Sequence, residues 1–308
     1  MTVSYARLAE LRHRLSLPVL RQVSGAIEGQ HRSIFTGHGQ DFDDMVAYRP
    51  GDDVSDIDWK ASARAGQPII RRFVKETTLQ VILAVDTSAA MRGTCPDGQP
   101  KIEVAIDLVD VLAYLARMRS DLLALVLSHA GRVTQLPPRS GTDHLELVRH
   151  TLRRAVHHDD AASSTAGPGP SVASDEPDTT MIEILERAEA LARRRSLVVI
   201  VGDDWSLSGA CEDALKRLRV RHEVLFFSIA DVALADLAGQ RVVDVADGPL
   251  PSFVTTDRAL LAEAAEEESR NRARVRELLR SLGIRHARVA GSEDVIDVLL
   301  DLFGGRGQ

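Results

Sequence analysis

The sequence predicts a doubly wound α/β domain built on a parallel sheet. Five short apolar runs, rich in β-branched residues, have the composition of strands that are buried on both faces. Helical patterns of three-four spacing lie between them, and this alternation is typical of strands joined by helical crossovers. With 308 residues and 44% hydrophobic content, the chain can also fill a core of ordinary size. The five runs are LQVILAVD, DLLALVLSH, SLVVIVGDD, HEVLFFSIAD and IRHARVAG.

Four segments predict the helices that cover this sheet. KIEVAIDLVDVLAYLARMR is apolar nearly all round, which indicates a deeply buried helix. TMIEILERAEALARRR opens with a capping box from Thr180 to Glu183, so we expect its helix to begin there. A long charged helix is expected between an N-cap at Thr256 and Gly283, and we interpret its charged face as solvated. SEDVIDVLLDLF predicts a short closing helix.

Composition changes along the chain predict two domains. Residues 1–78 carry glycines and charges without long periodic segments after an opening helix, which indicates a lobe of turns and short strands. Residues 79–308 hold all the apolar runs and form the predicted α/β domain. Within it, residues 159–177 are rich in Ser, Ala, Gly and Pro, and we expect a mobile loop there.

Charge and composition disfavour several functions. A net charge of −7 argues against nucleic acid as a partner, because binding phosphates requires a basic surface. No stretch of about 18 uncharged apolar residues is present, so we expect no membrane span and a cytoplasmic location. The two cysteines are too few for a disulfide framework. No glycine-rich phosphate loop ending in Gly-Lys-Ser/Thr occurs, so we do not expect the chain to hydrolyse ATP.

Polar residues follow the predicted strands at the edge where ligands gather in such sheets. Asp86 and Ser88 follow the first run, Thr142 lies in a later loop, and Asp203 and Asp204 follow the run LVVIV. This set resembles the metal-ion-dependent adhesion site of the von Willebrand factor A domain, with its D-x-S-x-S motif, loop threonine and late aspartate. The resemblance implies a Rossmann-like, doubly wound von Willebrand factor A-type domain. It also implies Mg²⁺ held by Asp86, Ser88, Thr142 and Asp203, since Mg²⁺ prefers oxygen ligands.

The sequence departs from that motif at its third position. Ala90 stands where the motif has a serine, so one hydroxyl ligand is absent and the adhesion site is degenerate. Three alternatives therefore stay open. The site binds Mg²⁺ with water or Asp204 completing the shell; it is a metal-dependent hydrolase that uses Asp86, Asp203 and Asp204; or Asp86 and Ser88 only cap the backbone of a metal-free structural scaffold.

The segment YRPGDDVSDIDWKASA, residues 48–63, concentrates four aspartates. Asp52 and Asp53 follow a Pro-Gly pair that favours a tight turn, and Asp58 precedes a predicted helical run. The aspartates accept backbone N–H groups or pair with nearby arginines, contact a partner, or form a catalytic carboxylate pair. No histidine or cysteine accompanies them, so structural pairing and partner contact are favoured over catalysis.

Two tryptophans are the aromatic candidates for a binding surface. We interpret Trp59 as an anchor that packs the N-terminal lobe onto the α/β domain, with an exposed hot spot as the alternative. Trp205 follows Asp203 and Asp204 at the predicted rim of the sheet, where a partner-facing role and a structural role are equally open. Asp204 and Trp205 join Asp52, Asp53, Asp58 and Trp59 as the predicted partner-binding residues.

The string YRPGDDVSDIDWKASARAGQPIIRRFVKE, followed by a strand ending in DTSAAM, resembles the bacterial domain-of-unknown-function family 58. That family pairs this signature with a von Willebrand A-like domain. The resemblance implies a link with MoxR-type AAA+ ATPases, and therefore a non-enzymatic interaction module that acts as adaptor or co-chaperone between such an ATPase and a protein client.

Overall fold

The computed structural model describes residues 41–48, 54–74, 78–129, 132–165, 177–244 and 248–303. These residues form two compact units, one ending at Thr78 and the other beginning at Leu79. Residues 1–40 lie outside the described part, so the full extent of the predicted N-terminal lobe stays a prediction. Each unit is described by itself below.

The first unit is a two-stranded sheet with one short helix between its strands. Strand β1 (Asp41–Ala47) pairs antiparallel with β2 (Ile69–Val74). Helix α1 (Trp59–Ala65) ends at Gly66, whose φ of 71° lies in the left-handed region that glycine adopts without strain. Ser62 joins the helix to the sheet, because its Oγ donates to the Asp58 carbonyl at 2.7 Å and accepts from the Ile69 N–H at 2.8 Å.

The second unit contains a six-stranded sheet in the order β10-β7-β6-β3-β4-β5. Five of these strands are parallel, and β5 runs antiparallel to β4 at one edge. Two further short strands, β8 and β9, form a separate hairpin. The strands are β3 (Gln80–Val85), β4 (Leu122–His129), β5 (Arg132–Arg139), β6 (Leu197–Asp203), β7 (Glu223–Ile229), β8 (Val243–Asp244), β9 (Gly248–Pro249) and β10 (Arg285–Val289).

Helices cover both faces of this sheet. They are α2 (Lys101–Met118), α3 (Thr142–Thr165), α4 (Pro177–Leu191), α5 (Glu212–Arg221), α6 (Ser252–Thr256), α7 (Arg258–Ser281) and α8 (Val295–Phe303). Helices α2, α3 and α8 pack with Val81, Leu83 and Val85 of β3, whereas α4, α5 and α7 pack with Ile82 and Ala84. The central strand thus sends alternate side chains into two cores. This arrangement confirms the predicted doubly wound α/β fold of von Willebrand factor A type.

Two helix boundaries differ from the predictions. The helix expected to begin at Thr180 begins at Pro177, a residue whose fixed φ suits the first turn of a helix. The expected N-cap at Thr256 is wrong: α6 ends there, and the Asp257 side chain caps α7 by accepting from the Ala259 and Leu260 N–H groups at 2.8 and 3.4 Å. An aspartate caps more strongly than a threonine, so the neighbouring residue prevails.

The predicted mobile loop over residues 159–177 is shorter than expected. Residues 159–165 continue α3 and Pro177 opens α4, while residues 166–176 lie outside the described part. Alanine-rich composition supports helix as readily as loop, and that explains the error. In the described ranges, no helix is long and apolar enough to span a bilayer.

Strand β5 was not predicted from the sequence. Its residues RVTQLPPR are exposed or half-buried and include two prolines, so it lacks the apolar run that marked the other strands. Proline is tolerated on an edge strand because an outward-facing residue there has no ladder hydrogen bond to lose. The chain consequently reverses direction before α3, and this reversal decides where Thr142 lies.

Candidate functional site

At the carboxyl edge of the sheet, each of three neighbouring strands has an aspartate at its end or within two residues beyond it. Asp86 follows β3, Asp203 ends β6 and Asp231 lies two residues beyond β7. The chain winds outward in opposite directions from β3 and β6, which makes this edge the topological switch point where ligands bind in such sheets. The Asp86 N–H donates to the Val201 carbonyl at 2.8 Å and so fixes the β3 end against β6.

The Ser206 hydroxyl links two of these carboxyl groups. Its Oγ lies 2.8 Å from Asp86 Oδ2 and 2.8 Å from Asp203 Oδ1, and it accepts from the Asp203 N–H at 2.9 Å. A hydroxyl has one proton, so one of the two short contacts needs a proton from a carboxyl group. Burial raises the pKa of the Asp86 carboxyl, aided by repulsion from Asp203 and opposed by the Ser88 N–H. The raised pKa of Asp86 favours this group as the holder of that proton.

A buried lysine neutralises the remaining carboxylates. Lys101 Nζ donates to Asp203 Oδ2 at 3.0 Å and to Asp231 Oδ2 at 2.7 Å, and the Lys101 side chain is 0% exposed. Burial lowers the pKa of the Lys101 ammonium, but attraction by Asp203 and Asp231 outweighs burial and the net pKa is raised. The lysine is therefore charged. We call Asp86, Lys101, Asp203, Ser206 and Asp231 the edge cluster.

Two glycines leave the space that the edge cluster fills. A Cβ on Gly202 would lie 2.7 Å from Ser206 Oγ, and a Cβ on Gly93 would lie 3.0 Å from Asp231 Oδ1 and 3.2 Å from Lys101 Cδ. The Gly93 carbonyl also accepts from the Lys101 N–H at 2.9 Å. The loop between β3 and α2 thus closes directly over the lysine, and larger residues at either glycine would displace it or the serine.

The rim beside the edge cluster is a fixed turn that carries an exposed tryptophan. The Asp204 carboxylate accepts from Arg288 Nε at 2.9 Å, and its carbonyl accepts from Asn271 Nδ2 at 2.7 Å. The Trp205 N–H donates to Asp203 Oδ1 at 2.9 Å, while 41% of Trp205 is exposed. The backbone of this turn is held from three sides and presents the indole to solvent.

The structure brings together three of the four predicted metal ligands. Asp86 and Asp203 share Ser206, and the Ser88 N–H donates to Asp86 Oδ1 at 2.8 Å. The Ser88 Oγ is buried and has no hydrogen-bond partner among the described atoms. These three residues therefore lie at one edge of the sheet, and their role as metal ligands stays a prediction.

The prediction for Thr142 is wrong. Because β5 is antiparallel to β4, with Arg139 opposite Leu123 near the start of β4, the chain returns to the amino edge of the sheet before α3 begins. Thr142 is exposed there, and its Oγ1 accepts from Arg117 Nε at 3.2 Å. The helix that begins at the carboxyl edge in its place is α4, because its far end leads into the start of β6.

The residues present do not fit Mg²⁺. Asp203, a predicted ligand, already binds the Lys101 ammonium; Asp86 shares Ser206 with Asp203; and Ala90 offers no hydroxyl. Mg²⁺ requires about six oxygen ligands in a near-ideal octahedron. Among the described residues, no group of three or more His, Cys, Asp or Glu side chains is placed to hold a metal ion.

The signature segment of the first unit, residues 48–63, contains both a structural carboxylate and an exposed aromatic ring. Asp58 is buried, and its Oδ1 accepts from the Lys60 and Ala61 N–H groups at 3.0 Å each, so it is the N-cap of α1 and not a partner-facing carboxylate. Trp59 is 68% exposed, and its packing of the N-terminal lobe onto the α/β domain stays a prediction. Asp52 and Asp53 lie outside the described residues.

The groups named for hydrolysis all have partners within the protein. Asp86, Asp203 and Asp204 are held by Ser206, Lys101 and Arg288. Cys95 and Cys211 are buried, and burial raises the pKa of the Cys95 thiol to about 12, which opposes thiolate formation. The arrangement therefore fixes the charges of these three aspartates in place, and burial disfavours the thiolate of Cys95.

Sequence reasoning missed Lys101, Asp231 and Ser206. The signal for Lys101 was present, because a charged residue that opens an otherwise apolar, deeply buried helix must itself find a charged partner. Asp231 was the last letter of the run HEVLFFSIAD, in the same position as the aspartates already noted. Ser206 had no such signal, since serine is common in turns.

Fold and site together define the second unit as a von Willebrand factor A-type domain with an ion-paired lysine among the carboxyl groups of its ligand edge. Residues 44–274 match the profile of the family described as "Protein of unknown function DUF58", and the chain belongs to that family. The predicted family is thereby confirmed.

Relatives of similar length occur in mycobacteria. The uncharacterised proteins Mb1516 of Mycobacterium bovis and Rv1480 of Mycobacterium tuberculosis are each 28% identical to this chain over 287 residues, covering 90% of this chain and 83% of the relative. The names of these relatives state no function, so the matches show that the proteins are related and indicate no activity.

Solved structures with a similar fold come from other bacteria. BatB from Bacteroides thetaiotaomicron has a TM-score of 0.40 at 15% identity, covering 73% of this chain and 97% of that chain. An aerotolerance-related membrane protein from Bacteroides fragilis scores 0.39 at 17% identity, covering 73% and 98%. A von Willebrand factor type A protein from Catenulispora acidiphila scores 0.40 at 11% identity, covering 77% and 44%.

Proposed function

We propose that this chain is a non-enzymatic protein-interaction module, a cytoplasmic adaptor or co-chaperone that joins a MoxR-like AAA+ ATPase to a protein client. The observation that carries the interaction role is Trp205, a large aromatic residue exposed on a rigid turn at the ligand edge of the sheet. The choice of ATPase follows the family resemblance of the signature segment. The choice of edge follows the sheet order, since partners of such folds bind at the switch point.

Trp205 has the properties of an interface anchor. Tryptophan is enriched among residues that dominate binding energy, because it buries a large apolar surface at small conformational cost. The hydrogen bonds from the Trp205 N–H to Asp203 and from Arg288 and Asn271 to Asp204 hold its backbone before any partner arrives. Preorganisation of this kind reduces the entropy lost on binding.

The first unit offers a second exposed apolar site, formed by two residues. Val54 and Trp59 are 58% and 68% exposed and lie five residues apart, at the two ends of a short segment fixed by the Asp58 cap. Exposed apolar side chains on a well-fixed backbone are typical of recognition surfaces. An adaptor needs two contacts, one for the ATPase and one for the client, and each unit supplies one candidate.

The interactions within the edge cluster support a role without turnover. A general base or nucleophile must be free to take a proton or to attack, whereas Asp86, Asp203 and Asp204 are each engaged by a side chain of the protein. Charges held in this way stabilise the local structure of the sheet edge. They suit a binding surface better than a hydrolytic centre.

A binding measurement with the purified MoxR-like ATPase of the same genome tests the proposal. We expect the immobilised protein to retain the ATPase in the presence of ATP, and we expect Trp205→Ala or Trp59→Ala to weaken either this binding or client binding by roughly tenfold or more. Leu147→Ala is the matched control, because Leu147 is also exposed, at 47%, but lies near the start of α3 at the amino edge.

Two results would contradict the proposal. Absence of any retention of the ATPase by the wild-type protein removes the adaptor role. Turnover of generic phosphate or carboxyl esters that Asp203→Asn abolishes removes the non-enzymatic assignment.

A further inference from the structure

We propose that the Lys101 ammonium is a built-in replacement for the divalent cation of this edge, so that the site is permanently charged by the protein itself and partner recognition here does not depend on metal. This inference holds whichever partner binds. Its basis is the placement of one buried cation between Asp203 at the end of β6, a predicted metal ligand, and Asp231 just beyond β7.

The geometry places the ammonium where a bound cation would be needed. Asp203 ends the strand next to β3 and is the residue that the adhesion-site motif assigns to the metal, and its Oδ2 lies 3.0 Å from Lys101 Nζ. Asp231, after the following strand, lies 2.7 Å from the same nitrogen. Two carboxylates that would repel each other are thus held by one shared positive charge.

The position of Lys101 in α2 argues against a lysine that is there by chance. Lys101 is the first residue of that helix, where the partial positive charge of the helix terminus disfavours a cation. The side chain is also fully buried, which disfavours the ammonium form further. Only a strong demand for positive charge from Asp203 and Asp231 keeps the ammonium there.

Burial also separates this site from metal-bridged recognition. A metal ion at a sheet edge can keep one coordination position open for a carboxylate of the partner. Lys101 has 0% exposure and is covered by Gly93, so its ammonium cannot reach a partner. The partner must therefore bind to the surface around the cluster, and the cluster's charge only holds that surface in place.

Thermal unfolding with and without Mg²⁺ tests the replacement. We expect the wild-type midpoint to be the same in millimolar Mg²⁺ and in EDTA, because a ligand raises stability only when it binds the folded state. Lys101→Ala removes the cation and leaves a space beside Asp203 and Asp231, so we expect a lower midpoint in EDTA that Mg²⁺ partly restores. Lys101→Met removes the charge but fills the space, and its midpoint should fall without any response to Mg²⁺.

Direct titration of the wild-type protein with Mn²⁺, followed by the loss of its free-ion electron paramagnetic resonance signal, decides the matter even if neither variant folds. We expect no site with a dissociation constant below about 1 mM, a limit that corresponds to weak association. Tighter Mn²⁺ binding that Asp203→Asn abolishes would overturn the proposal. So would a folded Lys101→Ala protein whose midpoint Mg²⁺ fails to raise, since the lysine would then not stand in for a metal.

Discussion

Helix α2 carries two buried ion clusters of opposite design. At its first residue, Lys101 is a fully buried cation held by Asp203 and Asp231. Nearer its middle, the buried carboxylate of Asp110 accepts from Arg149 Nε at 2.9 Å and Arg153 Nη2 at 3.4 Å. Both arginines belong to α3 and are 15% and 39% exposed. One cluster buries the positive charge and the other keeps it within reach of water.

This difference determines which of the charged partners water can replace. Water can hydrate the arginine ends and enter when one is lost, so the α2–α3 cluster has a substitute for each partner. Water reaches Asp231 but not the ammonium of Lys101. In the absence of a metal ion, nothing therefore replaces this positive charge when Lys101 is lost. The α2–α3 cluster holds two helices together, whereas the edge cluster fixes the helix to the ends of the strands that carry the rim.

Loss of the buried cation should have the largest effect. Lys101→Met leaves Asp203 buried without a positive partner, and we expect the free energy of unfolding to fall by about 3–5 kcal/mol, the range for breaking a buried pair on one side. Urea denaturation at neutral pH measures this change. A loss below about 1 kcal/mol would place the edge cluster in the same class as an exposed ion pair.

Loss of the better-placed arginine should have an intermediate effect. Arg149→Met removes the 2.9 Å bond to Asp110 and leaves Arg153, so we expect a loss of roughly 1.5–3 kcal/mol, the range for a hydrogen bond to a charged group. Arg153→Met is the matched control, and its longer, more exposed contact predicts a smaller loss in the same urea assay. Equal losses for the two variants would contradict this order.

Removal of the titratable proton at Asp86 should raise stability in a pH-dependent way. Burial raises the pKa of Asp86 in the folded protein, so its contribution to stability is full below the unfolded pKa of about 3.9 and declines as pH rises. Asp86→Asn keeps an acceptor for the Ser88 N–H and donates to Ser206 without this decline. We expect a higher unfolding midpoint than wild type at pH 7 and near equality at pH 4.

The outcome at pH 7 also distinguishes a metal ligand from a structural carboxyl group. If Asp86 coordinated Mg²⁺, the Asn variant would be less stable than wild type in Mg²⁺, and the sign of the difference would reverse. Measuring both proteins in EDTA and in Mg²⁺ by the same thermal scan separates the two cases.

A fully exposed pair gives the lower limit of the comparison. Arg280 donates to Glu277 at 2.9 Å on the solvent side of α7, where water screens both charges. We expect Arg280→Ala to leave the unfolding midpoint unchanged within the error of the scan. A clear loss would mean that geometry alone, without burial, sets the strength of ion pairs in this protein.

Much of the fold followed from local patterns. The apolar runs located five strands of the sheet, and the buried helix predicted at KIEVAIDLVDV is α2. Strand β5 was not predicted because it is an exposed edge strand whose residues lack the buried apolar run on which the prediction rested. That single omission misplaced Thr142, since an unseen reversal of the chain moves the following loop to the opposite edge.

The site was predicted in outline but not in its electrostatics. Asp86 and Asp203 could be identified because residues at strand ends converge in a parallel sheet. The pairing of Lys101 with Asp231 joins residues 130 apart in sequence, and no local pattern expresses such a contact. Spacing alone cannot distinguish an aspartate that binds metal from one that binds an ammonium, because both need the same position and the same charge.

Strand β5 also has a consequence for self-association. Among the described residues it has a hydrogen-bonded neighbour, β4, on one side only, so its other side is an edge to which a strand from another copy could add. Pro137 and Pro138 have no N–H to offer such a strand, Arg132 and Arg139 place a charge at each end, and the irregular register with β4 bends it. The prolines that concealed this strand from sequence analysis therefore also oppose the pairing of a second copy with β5 at high concentration.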